Sequence, residues 1–145
     1  MNNFEKINNI ALIEARFYSD IADELVNGAK NIADNNGFLI HRIEVPGVFE
    51  IPAALNKIWN SGSFIGVVAL GCVIRGETDH YDHICREVSR ALMDLSVNHG
   101  IPMGFGVLTC ENYEQAKVRS SIKERDIGGR ATLACIEMIR IMEDN

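Results

Sequence analysis

An abrupt change of pattern in the middle of the chain constrains its fold more than any other feature. Phe64-Ile65-Gly66-Val67-Val68-Ala69-Leu70 is a short apolar run, rich in β-branched residues and without a helical stripe. Such runs are strands buried on both faces. A polar stretch comes at once after it: Gly71-Cys72-Val73-Ile74-Arg75-Gly76-Glu77-Thr78-Asp79-His80-Tyr81-Asp82-His83. Beyond it, Val88, Ala91, Leu92 and Leu95 return at helical spacing and predict a helix after His80. A doubly buried strand, a loop and a helix are the unit of a parallel α/β sheet, whose ligands gather at the carboxyl ends of the strands. This loop brings an imidazole, carboxylates and a hydroxyl to that position. Its glycines let the backbone approach a ligand, and the helix start offers free amides to an anion.

The rest of the chain repeats the unit. Asn9 to Ala15 reads as a first strand, and a helix opens at Tyr18 or Ser19 and runs to about Asn36. Ser19 is its expected N-cap, with Asp20 and Asp23 favourable in the first turn. Phe38 to Val45 is the second strand. Pro46-Gly47-Val48-Phe49-Glu50-Ile51-Pro52 is a rigid turn into a helix ending near Asn60, with Ala53, Ala54, Leu55 and Ile58 inward. The loop's own helix closes at His99-Gly100, and Ile101 to Thr109 is a fourth strand. Glu111 to Arg119 is helical, Ser120 to Gly129 is a polar connection, and a last helix carries Ala131, Leu133, Ala134, Ile136 and Met138. With right-handed crossovers, this order gives a flavodoxin-like three-layer αβα sandwich on a four-stranded parallel sheet, one domain over residues 1–145. So small a sheet has two edges to protect, which predicts an oligomer.

Composition narrows the function. A net charge of −6 with scattered basic residues excludes a general nucleic-acid or anionic-membrane binder. No apolar run reaches transmembrane length, and Met1 to Asn9 is too polar for a signal peptide, so the expected compartment is the cytoplasm. The four cysteines, Cys72, Cys85, Cys110 and Cys135, lie in apolar or strand-end settings and read as small core residues in a reducing compartment.

Four segments meet at the strands' carboxyl rim: Phe17, the 47–50 turn, the 71–80 loop, and Thr109 with the residues just after it. Each has a bland alternative. Phe17 is expected to cap the core rather than stack on a flat ring. Glu50 complements a helix dipole or positions a polar ligand. His80 and His83, with Asp79, Asp82 and Cys85, suggest a metal only weakly, because no distant ligand pair accompanies them. At a helix start beside anion-binding amides, His80 reads better as a proton-transferring group next to an anionic substrate. Arg119 and Lys123 are either solvated cations or phosphate ligands. No Walker, dinucleotide or Gly-x-Ser-x-Gly motif is present, and Cys72 has no base partner in sequence, which argues against a covalent nucleophile.

Three separated stretches together closely resemble the lumazine synthase family: Val45-Pro46-Gly47-Val48-Phe49-Glu50-Ile51-Pro52, the 71–82 loop, and Phe105-Gly106-Val107-Leu108-Thr109 with Glu114-Gln115-Ala116 and Arg119. The likeness covers nearly the whole chain in order. It implies a transferase of riboflavin biosynthesis that condenses 5-amino-6-(D-ribitylamino)uracil with 3,4-dihydroxy-2-butanone 4-phosphate, without metal or organic cofactor. Phe17 would stack on the pyrimidine. Val48, Phe49 and Glu50 would line the pyrimidine and ribityl pocket, and Cys72, Val73 and Ile74 would offer backbone groups to the uracil edge. Glu77 and Thr78 would hold the phosphate, and His80 would shuttle protons. Phe105 would cover the ring and Arg119 would pair with phosphate, both from the adjacent subunit. Pentamers, paired pentamers or sixty-subunit shells are implied; the short N-terminal arm favours a pentamer-based assembly smaller than the shell. Riboflavin synthase is a candidate partner.

The chain departs from the family pattern at two places. Asp126-Ile127-Gly128 stands where Asn-Lys-Gly is common, so a lysine is missing at Ile127 while Lys123 is kept. Position 48 is Val rather than Ala or Ser, a small change in pocket volume. The competing reading is a module of the same fold that binds a flavin or lumazine without making one; the presence of Glu50, His80 and Arg119 speaks against it. A signalling receiver would show paired acidic residues after the first strand, where Glu14 stands isolated.

Overall fold

The computed structural model of the chain describes residues 8–76 and 80–143. Its elements are β1 (Asn9–Ala15), α1 (Ser19–Asn35), β2 (Leu39–Val45), a 3-10 turn (Val48–Glu50), α2 (Ile51–Trp59), β3 (Gly66–Ile74), α3 (Tyr81–His99), β4 (Met103–Cys110), α4 (Tyr113–Ser120) and α5 (Ile127–Glu143). The four strands form one parallel sheet in the order β2-β1-β3-β4. That is the flavodoxin-like order, in which the order of strand addition reverses between β1 and β3 and opens a crevice at their carboxyl ends.

Strand alternation sorts the core into two layers. Ile10, Leu12, Val68, Leu70 and Leu108 face α1, α4 and α5 and pack on Leu25, Ala116 and Ile136. Ala11, Ile13, Val67, Ala69 and Val107 face α2 and α3 and pack on Leu55, Val88 and Leu92. Every residue of β3 is buried, as a central strand covered on both faces requires. Each fully buried Leu or Ile contributes about 1.5–3 kcal/mol.

Several boundaries differ from the sequence reading. β3 does not stop at Leu70 but runs on to Ile74. Gly71 is therefore a strand glycine, and a Cβ there would stand 2.8 Å from Val48 Cγ2. The glycine lets the 3-10 turn press onto the sheet. α5 starts at Ile127, so Gly128 and Gly129 are buried helical residues rather than a loop end. A Cβ on Gly128 would collide with the Leu25 carbonyl of α1, and that close helix contact outweighs glycine's poor helix propensity. Ser19 is the first helical residue, not the cap; Tyr18 holds the N-cap position, and its side chain makes no capping hydrogen bond. Ala53 faces solvent, while Ile51 and Leu55 are the buried residues of α2. In the last helix Leu133 and Ala134 are exposed, and Cys135, Ile136 and Ile139 face inward. α4 takes a cap the sequence reading passed over: the Asn112 side chain accepts from Gln115 N–H at 2.9 Å.

Candidate active site

The crevice is made by unequal strand lengths. β1 ends at Ala15, and its register with β3 ends at Glu14 opposite Leu70. β3 continues beside β4 as far as Ile74 opposite Cys110. Among the described residues, no strand lies along the β1 side of residues 72–74. Their backbone edge is open while their side chains are buried. Burial pushes the Cys72 thiol up to about 12, so it stays protonated at neutral pH and is no nucleophile. What this segment offers a ligand is main-chain hydrogen bonding.

Around that edge stand the aromatic groups. Phe17 is 72% exposed, which overturns the expectation that it caps the core. The connector from Arg16 to Tyr18 turns those two residues inward, Arg16 onto Glu14 and Tyr18 against the core, and leaves Phe17 outward. Its ring meets Tyr18 edge-on, with centroids 4.9 Å apart. Opposite, Val48 is buried against Gly71, while the next residue, Phe49, is exposed and stacks on His83 at 6.4 Å. The 3-10 turn is thus a wall shared by the crevice and the start of α3. Glu50 is exposed, and its carboxylate lies back over Gly47, where an added Cβ would stand 3.2 Å from Oε1.

His80 is the N-cap residue of α3 and is exposed. With Phe49, His83 and Ile84 it lines an open groove of about 650 Å³. His83 enters here as a ring neighbour rather than as a metal ligand; its spacing of three residues from His80 was the signal. Among the described residues no group of three or more His, Cys, Asp or Glu side chains is placed to hold a metal ion. Glu77 and Thr78 lie outside the described residues. The loop's near end is fixed by Arg75, which pairs with Glu111 at 2.9 Å and Asp82 at 3.2 Å and lies 4.4 Å over the Tyr81 ring.

Phe105 and Arg119 stand apart from this groove. Phe105 pairs with Ala69 in mid-strand, roughly 13 Å along β4 from Thr109 at strand spacing. It is 45% exposed and lines a separate apolar groove with Leu92, Met93 and Met103. Arg119 folds along α4 and donates to the Thr109 carbonyl at 3.2 Å, with Cys110 Sγ at 3.5 Å. It borders an open polar hollow with Asn112, Gln115 and Arg125. Both therefore lie on the β4 edge of the sheet. Lys123 is exposed between α4 and α5. Ile127, where the family often has lysine, packs against the α1-side core instead.

One cluster was missed from sequence. Glu14, which has no acidic residue beside it in sequence, is tied to two arginines: it is 2% exposed, with Oε2 accepting from Arg42 Nε at 2.7 Å and Oε1 accepting from Arg42 at 3.0 Å and Arg16 at 2.7 Å. Burial opposes its ionisation, but the hydrogen bonds from Arg42 and Arg16 outweigh that and hold the carboxyl below its usual range.

A sequence model described as 6,7-dimethyl-8-ribityllumazine synthase matches residues 8–143. The chain belongs to this family. Among relatives of that name, the protein of Agrobacterium fabrum is 47% identical over 138 residues, spanning 92% of this chain and 93% of its own. That of Methylorubrum populi is 44% identical, spanning 91% and 81%. One named 6,7-dimethyl-8-ribityllumazine synthase 1, from Rhizobium meliloti, is 44% identical over 140 residues, spanning 93% and 92%. The matched stretch contains all four rim segments.

Proposed function

We propose that the chain, as one domain over residues 1–145, is a transferase that makes 6,7-dimethyl-8-ribityllumazine in riboflavin biosynthesis. It condenses 5-amino-6-(D-ribitylamino)uracil with 3,4-dihydroxy-2-butanone 4-phosphate. The amine attacks the ketone, a Schiff base forms with loss of water, phosphate leaves, and the ring closes with loss of a second water. The observation that supports this best is the open backbone edge of residues 72–74 between the exposed Phe17 ring and the Val48–Glu50 turn. A flat pyrimidine fits such a slot: main chain meets its polar edge, and an aromatic face meets its plane.

The residues then take these roles. Phe17 stacks on the pyrimidine, and the main chain of Cys72, Val73 and Ile74 reads the uracil edge. Val48 and Phe49 line the pocket, and Glu50 accepts from ribityl hydroxyls. His80, exposed at the α3 start and bordering the groove with Phe49, transfers protons during Schiff-base formation and elimination. Glu77 and Thr78 hold the phosphate through the loop. Phe105 and Arg119 complete the site of a neighbouring copy, because in their own chain they lie on the β4 edge, away from His80. Phe105 covers the ring, and Arg119, supported by Lys123, pairs with phosphate. The working form is a pentamer-based oligomer in the cytoplasm that passes its product to riboflavin synthase. No helix among the described residues is long and apolar enough to cross a membrane.

The test is direct. Purified protein is given both substrates while lumazine fluorescence and phosphate release are followed beside an enzyme-free control. One phosphate per lumazine, well above control, is expected. A folded oligomer that only matches the control would instead be a binding module of the same fold.

A further inference from the structure

Phe17 is the most exposed of the large rim residues, yet a stacking ring must be held still to be useful. Its ring makes a T-shaped contact with Tyr18 and is otherwise turned to solvent, 72% exposed. Its placement therefore comes from the backbone of the connector between β1 and α1. That connector is held from within by one guanidinium. Arg16 donates from NH1 to Glu14 Oε1 at 2.7 Å, and from NH2 to the Ser19 carbonyl at 3.4 Å and to Asp23 on α1. One end of this tether is anchored deep in the protein. Glu14 is 2% exposed at the end of β1, and Arg42 of β2 donates to both its oxygens in a forked pair, sharing Oε1 with Arg16. Planar, bidentate pairing of this kind fixes orientation as well as charge. The far end, Asp23, is on the helix surface, 64% exposed.

We propose that Glu14 is a positioning residue for the planar heterocyclic substrate: by clamping Arg16 between β1 and α1, it sets the backbone that presents the Phe17 ring at the crevice. Glu14 and Arg16 touch no ligand themselves. They lie on the α1 side of the sheet, and their effect reaches the ligand only through Phe17. The inference rests on Phe17 being the stacking surface. If that is so, the connector is pre-ordered before binding, and affinity that would be spent on ordering it is retained.

A double-mutant cycle tests it, with 6,7-dimethyl-8-ribityllumazine as the probe and its fluorescence change on binding as the readout. Phe17→Ala is expected to weaken binding about tenfold, in line with the loss of one stacked ring. Glu14→Gln, of the same size but uncharged, should weaken it about three- to tenfold in the natural background and not further in Phe17→Ala. Asp23→Asn breaks the outer tie at an exposed position without touching the core. It should show a smaller loss that also vanishes in Phe17→Ala, so the outcome does not depend on Glu14→Gln folding well. Equal losses in both backgrounds would make the cluster purely structural and overturn the proposal. A Phe17→Ala protein that binds lumazine normally would overturn the stacking role itself, and the proposal with it.

Discussion

Two regions of the chain that carry candidate site residues are built on opposite plans. The β1/β3 crevice is produced inside one chain, by a central strand that outruns its neighbour and a turn pressed against it through Gly71. The β4 edge carries Phe105 and Arg119 on exposed or half-exposed positions, in two hollows apart from the groove that His80 lines. A central strand can fix a pocket's floor without help, whereas an edge strand presents groups that need something laid beside it. The contrast separates what one chain finishes by itself from what, in the proposed function, a neighbouring copy supplies.

The sharpest way to test the crevice side is His80→Ala. Removing a proton-transferring group should lower turnover by about 10²–10⁴-fold while circular dichroism and oligomer size stay unchanged; unaltered turnover would take His80 out of the chemistry. Next in size is acid. Because Glu14 is held below the usual carboxylate range, its contribution to stability is present above the unfolded glutamate value of about 4.3 and is lost as pH falls through the lower folded value. The natural protein should therefore lose melting temperature below about pH 4 faster than Glu14→Gln does. At neutral pH the variant should be the weaker one. Its deficit should fall near or below the low end of the about 3–5 kcal/mol typical of a broken buried pair, since both arginines keep contact with water.

Gly71→Ala probes the joint between turn and sheet. Its Cβ would meet Val48 Cγ2 at 2.8 Å, so a loss of about 1–3 kcal/mol by thermal melting is expected. An unchanged melting curve would show that the turn yields freely. The smallest effect belongs to the edge. Arg119→Ala should raise the Michaelis constant for the phosphate substrate about tenfold and leave that of the pyrimidine substrate alone. Co-assembled with His80→Ala protein, it should regain activity in sites that combine the two intact halves, about a quarter of all sites in a random mixture. No regain on mixing would place Arg119 and His80 in the site of the same subunit and erase the contrast.

Local pattern was enough where local forces decide. β1 falls at Asn9–Ala15 as its apolar run predicts, and Gly37 and Gly100, both with positive φ, end helices as expected. The order of elements and the parallel sheet followed from periodicity alone. What escaped was tertiary. Gly71 and Gly128 look like turn glycines in sequence but serve close approaches to Val48 and Leu25. Glu14 looked solitary because its main partner is 28 residues away, on the next strand. Phe17 looked like a core cap because an aromatic at a strand end usually is one, and only its neighbours' inward ties turn it out. Family resemblance named Phe105 and Arg119, but nothing local says that they stand apart from the groove that His80 lines.

The overrun of β3 past β1 has a consequence for how such a protein changes over time. Cys72, Val73 and Ile74 present their side chains to the interior and their main chain to the opening. Any apolar residue that fits the interior leaves that opening chemically the same. Mutational scanning of this segment should therefore report packing defects. The open edge is a property of the path of the chain, and it stays constant while the letters that encode it drift.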